Sequence, residues 1–269
     1  MSILPPIKDL EPAYRARRSA FCAAACMALI MWGCPAPITT IPRMNSNFNA
    51  QSVGAPQQFP TPSPPGDQFI WLTQQPLISV VASNPSGGNW VLTVPKPAFL
   101  ADPDLLHQFL LATSEPFTTS PSVQMNGQFS VQLLGPGKVS FGIRATRGSA
   151  AGFVGGGELS ASPFGGGDIG TLLNPSAIDN LAAFDRRDFP VTALGLYNPG
   201  HLAHFLYSID QASHTLNLSF SVVGGATGNR SANYSFSGPI EKLELWLFLR
   251  QPASNTKVFV NEVKMDEIQ

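Results

Sequence analysis

From Thr215 to Val222 apolar and polar side chains alternate without a break. Leu216, Leu218, Phe220 and Val222 take one side, and Thr215, Asn217, Ser219 and Ser221 take the other. Successive side chains of a strand point to opposite faces, so this run predicts an antiparallel strand with one dry and one wet face. The pattern recurs in Gln128 to Leu134 through Phe129, Val131 and Leu133, and in Lys138 to Thr146 through Val139, Phe141 and Ile143. Gly135-Pro136-Gly137 between those two runs reads as a hairpin turn. Lys257 to Met265, Gln68 to Thr73, Leu77 to Ala82 and Asn89 to Val94 are further strand candidates. Helix is scarce. Asp102 as a cap with Pro103 at the first helical position predicts a short helix to Ala112, and Ser176 to Phe184 is a second candidate. Strands separated by Gly, Pro, Asn and Ser loops, with one or two short helices, predict an all-β, antiparallel β-sandwich.

One strand departs from the half-wet pattern. In Ile240 to Arg250, Leu243, Leu245, Leu247 and Leu249 form one face, whose burial contributes at most about 6–12 kcal/mol. The opposite face carries Glu244, Trp246, Phe248 and Arg250, apolar in the middle with an acid and a base at its ends. Two readings follow. A strand apolar on both sides sits mid-sheet under a covering segment. Alternatively, an open face lets Trp246 stack on a sugar ring, with Phe248 beside it and Glu244 and Arg250 bonding the hydroxyls.

The N-terminal region follows a different logic. Arg15, Arg17 and Arg18 precede an apolar run, Ser19 to Gly33, that ends at Cys34. Fifteen residues make a helix of about 22 Å, short of a hydrocarbon core of about 30 Å, and Pro35 and Pro37 prevent its extension. A basic start, a short apolar middle and a small residue before the cut are the layout of an export signal over residues 1–33. With Cys34 directly after Gly33, the segment resembles a bacterial lipoprotein signal, although Met31 and Trp32 stand where that signal has Leu and a small residue. The resemblance implies a lipid on Cys34, a bilayer as partner, and residence in the bacterial cell envelope, at the outer membrane or cell surface. All three cysteines, Cys22, Cys26 and Cys34, fall in this region, so the rest of the chain has none for disulfides or thiolate metal sites.

Residues 35–66 hold eight prolines and a single charge, Arg43. Such a stretch buries too little to offset its ordering entropy, and predicts a stalk of about 30 Å as a coil or about 100 Å in polyproline form. The division expected from sequence is therefore a signal at 1–33, an attachment site and stalk at 34–66, and a sandwich at 67–269. Without residues 1–33 the chain loses four of its 16 basic and two of its 17 acidic side chains, leaving a formal net charge of −3. That balance supplies no basic footprint for nucleic acid.

About 200 residues of alternating strands, closing on Val258-Phe-Val-Asn-Glu-Val263, resemble the concanavalin-A-like lectin/glucanase jelly roll, with Asn261 where that superfamily often has Asp. The resemblance implies glycan binding, glycan cleavage or adhesion. The chemistry of cleavage has no visible anchor. A retaining glycosidase needs two carboxylates about 5–5.5 Å apart, and the Glu-x-Asp-x-x-Glu strand of laminarinase-type members is missing. Glu241 and Glu244 are three residues apart and face opposite sides of a strand. His201 and His204 share that odd spacing, His107 falls in the expected helix and His214 in a turn, so no metal site assembles. Gly155-Gly-Gly157 and the glycines at 165–170 lack the Lys-Ser/Thr of a phosphate loop and read as mobile connections, with Asp168 as a calcium candidate. The sequence thus implies no catalytic residue, no metal and no cofactor. Its leading reading is an exported, lipid-anchored binding or adhesion module for polysaccharide. The alternatives are a polysaccharide-degrading enzyme centred on Glu244 and a structural surface protein without a small ligand.

Overall fold

A computed structural model describes residues 38–57, 67–68, 70–73, 75–82, 88–97, 100, 107–120, 124–147, 150–164, 166–174, 191–233 and 238–269. The expected signal, Cys34 and the second expected helix lie outside the described residues. Thr40 to Gln269 forms one compact unit. In chain order its strands are β1 (Thr40–Ser46), β2 (Asp67–Gln68), β3 (Ile70–Leu72), β4 (Ile78–Ala82), β5 (Asn89–Thr93), β6 (His107–Ser114), β7 (Gln124–Leu134) and β8 (Gly137–Arg147). They continue with β9 (Ala150–Ala161), β10 (Asp168–Asn174), β11 (Val191–Leu196), β12 (Leu202–Asp210), β13 (Thr215–Val222), β14 (Thr227–Asn233), β15 (Lys242–Arg250) and β16 (Lys257–Ile268). Every pairing among them is antiparallel.

Two sheets result. A nine-stranded sheet runs β14-β13-β12-β7-β16-β1-β2, with β5 on the far half of β16 and β4 beyond it; a seven-stranded sheet runs β11-β10-β9-β8-β15-β6-β3. The protein is an all-β sandwich. Its core is the meeting of the two dry faces. Phe129 of β7 and Phe205 of β12 stack at 5.4 Å between ring centres, and both reach Phe141 of β8, at 5.0 and 4.6 Å. Edge-to-face and offset contacts of this kind add to the burial of the rings themselves.

The alternating runs form strands where expected, but their partners differ. β7 and β8 are not a hairpin. They belong to opposite sheets, and Gly135-Pro136-Gly137 is the corner between layers, where Gly135 and Gly137 hold φ of 77° and 133°. Alternation shows that each strand has a dry face; it does not say whether the two dry faces lie side by side or opposite one another. The helix expected to end at Ala112 is also replaced, over its described part, by β6. Phe109 and Leu111 point into the core, and β15 and β3 pair with the strand on its two sides. From His107 onward helix is outweighed by pairing and burial available only in the assembled sheet. His107, expected on a helix surface, is therefore a buried strand residue.

The expected stalk is a strand and an ordered turn over much of its length. β1 adds to the edge of β16, burying Met44 and Ser46, and the following Phe48 is buried as well. Gln51 accepts the Gln57 N–H at 2.8 Å and donates to the Gln57 carbonyl at 3.1 Å, closing the segment on itself. Gly155–Gly157, expected as a mobile connection, lie inside β9. A Cβ on Gly157 would stand 2.1 Å from the Phe205 ring, so glycine is what lets that ring fill the core. The closing motif lies within β16. Asn261 sits at a bulge between Val260 and Glu262, in the middle of β16.

Candidate functional site

β15 runs through the middle of the seven-stranded sheet between β8 and β6. Its four leucines are buried toward the core, as the alternation requires. The outer face of the sheet therefore carries Lys242, Glu244, Trp246, Phe248 and Arg250. The register sets them beside Thr146, Arg144, Gly142, Ser140 and Lys138 of β8. Arg144, Lys138 and Ser140 escaped the sequence reading as site residues because alternation marks their outward direction and not their neighbour.

Glu244 is the hub. Its side chain is only 8 % exposed; Oε1 lies 2.8 Å from Lys242 Nζ, and Oε2 lies 3.2 Å from Arg144 and accepts the Trp246 indole N–H at 2.9 Å. Burial by itself would raise the Glu244 pKa. The hydrogen bonds from Lys242 and Trp246, with the charges of Lys242 and Arg144, outweigh that burial and hold the carboxyl below its usual range. Trp246 is half-buried, and its indole stacks on Phe248 at 6.1 Å with the planes 13° apart. The indole is therefore fixed twice, at its edge by a carboxylate and along its length by a second ring. Gly142 opposite it, and Gly156 beyond on β9, leave no side chain on that flank.

The four residues anticipated as a ligand surface divide into different roles. Glu244 and Trp246 are brought together. Phe248 is 0 % exposed and supports Trp246 from behind. Arg250 is half-buried, opposite Lys138 and four residues along the strand from Trp246. Ser140 and Glu158, level with Phe248 on β8 and β9, are buried too, and Ser140 donates to Glu158 at 2.7 Å. The row Phe248–Ser140–Glu158 is thus closed to solvent, while Trp246, Arg144 and Lys242 remain partly accessible. Arg144 Nε, buried, has no acceptor among the described residues.

Glu158 stands two strands and four residues away from Glu244, about 16 Å by strand geometry. That exceeds both carboxylate separations used in glycoside hydrolysis. The histidines engage separate partners: His204 bonds Ser130 at 2.8 Å and His201 bonds the Val223 carbonyl at 3.0 Å. Asp168 opens β10 with its N–H donated to Ser160 Oγ, and no group of three metal-ligating side chains forms among the described residues.

No protein-family model matches this sequence, and a search of curated proteins found no relative. Solved structures with a similar arrangement include an alginate lyase from Aplysia kurodai, at 11 % identity and a TM-score of 0.46 over 79 % of this chain and 97 % of that one. Peanut lectin aligns at 9 % identity and a TM-score of 0.45 over 87 % of this chain and 99 % of that one. The lectin UEA-II, complexed with galactose, aligns at 9 % and 0.44 over 85 % and 98 %. The assignment to the β-sandwich class rests on this chain's own strand pairing.

Proposed function

We propose that this chain is a carbohydrate-binding β-sandwich with the outer face around Trp246 as its binding platform. The observation that carries the reading is the held indole: a partly exposed aromatic ring, fixed by Glu244 and Phe248, beside the glycine flank of Gly142 and Gly156. Such a face offers an apolar surface to the C–H side of a sugar ring at little entropic cost. Lys242 and the partly exposed Arg144 guanidinium supply charged donors for hydroxyl or carboxylate oxygens. Glu244 then acts as the holder of the platform and not as a catalytic group.

The burial of Phe248 and the internal pairing of Glu244 favour a second reading, in which the cluster only stabilises the sheet. Trp246→Ala separates the two. On a glycan array the binding reading expects loss of the signal with the thermal midpoint nearly retained. Unchanged array binding, or no glycan bound by the parent chain, leaves the structural role.

We further propose export and lipid attachment at Cys34, which places the protein in the cell envelope. The support is the basic and apolar layout of residues 15–33 and the confinement of all cysteines to the first 34 residues. Because β1 starts at Thr40, only five residues separate Cys34 from the sandwich, at most about 20 Å of extended chain. A lipid on Cys34 would therefore hold the sandwich near the bilayer and not on a long stalk. Mass spectrometry of the mature N-terminus tests this; an unmodified Cys34 rejects it.

A further inference from the structure

We propose that the outer face of the nine-stranded sheet contains a second binding groove, for a neutral oligosaccharide. A depression of about 450 Å³ crosses β7, β12, β13 and β14. Its lining mixes amides and hydroxyls with a larger share of apolar surface, and Leu206, Tyr207 and Leu218 are among the residues that line it. The register sets Asn126, Ser208, Asn217 and Ser231 in one row over four adjacent strands, about 14 Å from end to end. Leu206, Ser219 and Asn229 form the next row.

The polar groups are already oriented. Asn217 Nδ2 donates to Ser208 Oγ at 3.3 Å, Ser231 Oγ donates to Asn217 Oδ1, and Gln124 donates to Asn126 Oδ1 at 3.0 Å. These bonds use part of each amide. A side-chain amide has two N–H donors and two acceptor lone pairs, so capacity remains for an incoming hydroxyl. Leu206, 51 % exposed, offers an apolar spot for the C–H side of a sugar ring.

Charge decides the class of ligand. Arg230 is the one charged residue among those that line the groove, and no carboxylate is among them. On neighbouring β16, Lys264 pairs with Asp266 at 3.0 Å, and Glu262 accepts from Gln128 at 2.8 Å. A phosphate or polyuronate would meet a single cation here, whereas neutral hydroxyls match the rows of amides and hydroxyls.

The test titrates the purified full chain carrying Trp246→Ala, which disables the other face, with laminarihexaose, cellohexaose and galactohexaose by calorimetry. At least one hexasaccharide is expected to bind at one site per chain. Adding Asn217→Ala with Ser231→Ala is expected to weaken it by about tenfold or more. Should that variant not fold, Asn229→Asp, which places a charge in the groove from an exposed position, carries the same expectation. Three results overturn the proposal. One is that no hexasaccharide binds the Trp246→Ala chain. Another is that binding survives the groove substitutions. The third is a chain that is dimeric in solution, becomes monomeric on Leu206→Asp and takes no sugar, which makes this face a self-association surface.

Discussion

On the seven-stranded sheet the outward residues of β15, β8 and β9 at one level, Phe248, Ser140 and Glu158, are buried, and Glu244 nearby is spent on two cations and an indole. On the nine-stranded sheet the outward residues of β12 and β13 are Leu206, Ser208, Asn217 and Ser219, and they line an open groove. Both faces come from the same period-2 alternation. They differ in what these positions carry: a charged and aromatic set that satisfies itself on β15, β8 and β9, and an uncharged set that leaves capacity for water or ligand where Leu206, Ser208, Asn217 and Ser219 lie. An outward face therefore does not have to be a wet one. Packing at outward positions carries stability in the first sheet, and little in the second.

That contrast can be broken by substitution. Phe248→Ala, although on an outer face, is expected to cost about 3–5 kcal/mol, as for a core phenylalanine. Urea denaturation measures it, and a cost below about 1 kcal/mol would remove the contrast. Gly157→Ala comes next. It drives a Cβ into Phe205 from the core side of β9 and is expected to cost about 1–3 kcal/mol, read in the same experiment.

Glu244→Gln sharpens the electrostatic half of the comparison. It removes one partner from Arg144, Lys242 and Trp246 at once, with an expected cost of about 1–2 kcal/mol, reduced because Lys242 stays partly in water. The folded-state pKa of Glu244 is depressed. Its contribution is therefore full above the ordinary carboxyl value of 4.5 and is lost as pH falls through the lower folded value. Melting curves of parent and variant are expected to differ at pH 7 and to converge as pH falls below 4.5; a constant difference would deny the charge pairing. Leu206→Ala should have the smallest effect, within about 0.5 kcal/mol, because its side chain already stands half in solvent.

Much of the fold was legible in the alternation. The strand β13 can be read residue by residue, since each inward position is apolar and each outward position polar. The double-sided character of β15 was legible too, and it led to Trp246 and Glu244. Their hydrogen bond was not, because it depends on how two residues on one face turn toward each other beside Arg144. β1 was hidden by its prolines and amides: Met44 and Phe48 become core residues only because the edge of β16 is there to receive them. The neutral groove was hidden for a similar reason. Asn126, Ser208, Asn217 and Ser231 are spread over 106 positions of sequence, and only strand order makes them one row.

By itself the sequence determined that this chain is all-β, which side of each strong strand is dry, and that its cysteines are confined to the N-terminal region. These follow from local rules, since a side chain's direction along a strand depends only on its parity. Only the tertiary structure decided that Gly135-Pro136-Gly137 turns between layers, that His107 lies in a strand, and that Gly157 yields its space to Phe205. It also decided that Phe248 is shielded while Leu206 is not. Each of these depends on which strand lies beside or across from which, and that pairing is settled by burial over the whole core and not by any one segment.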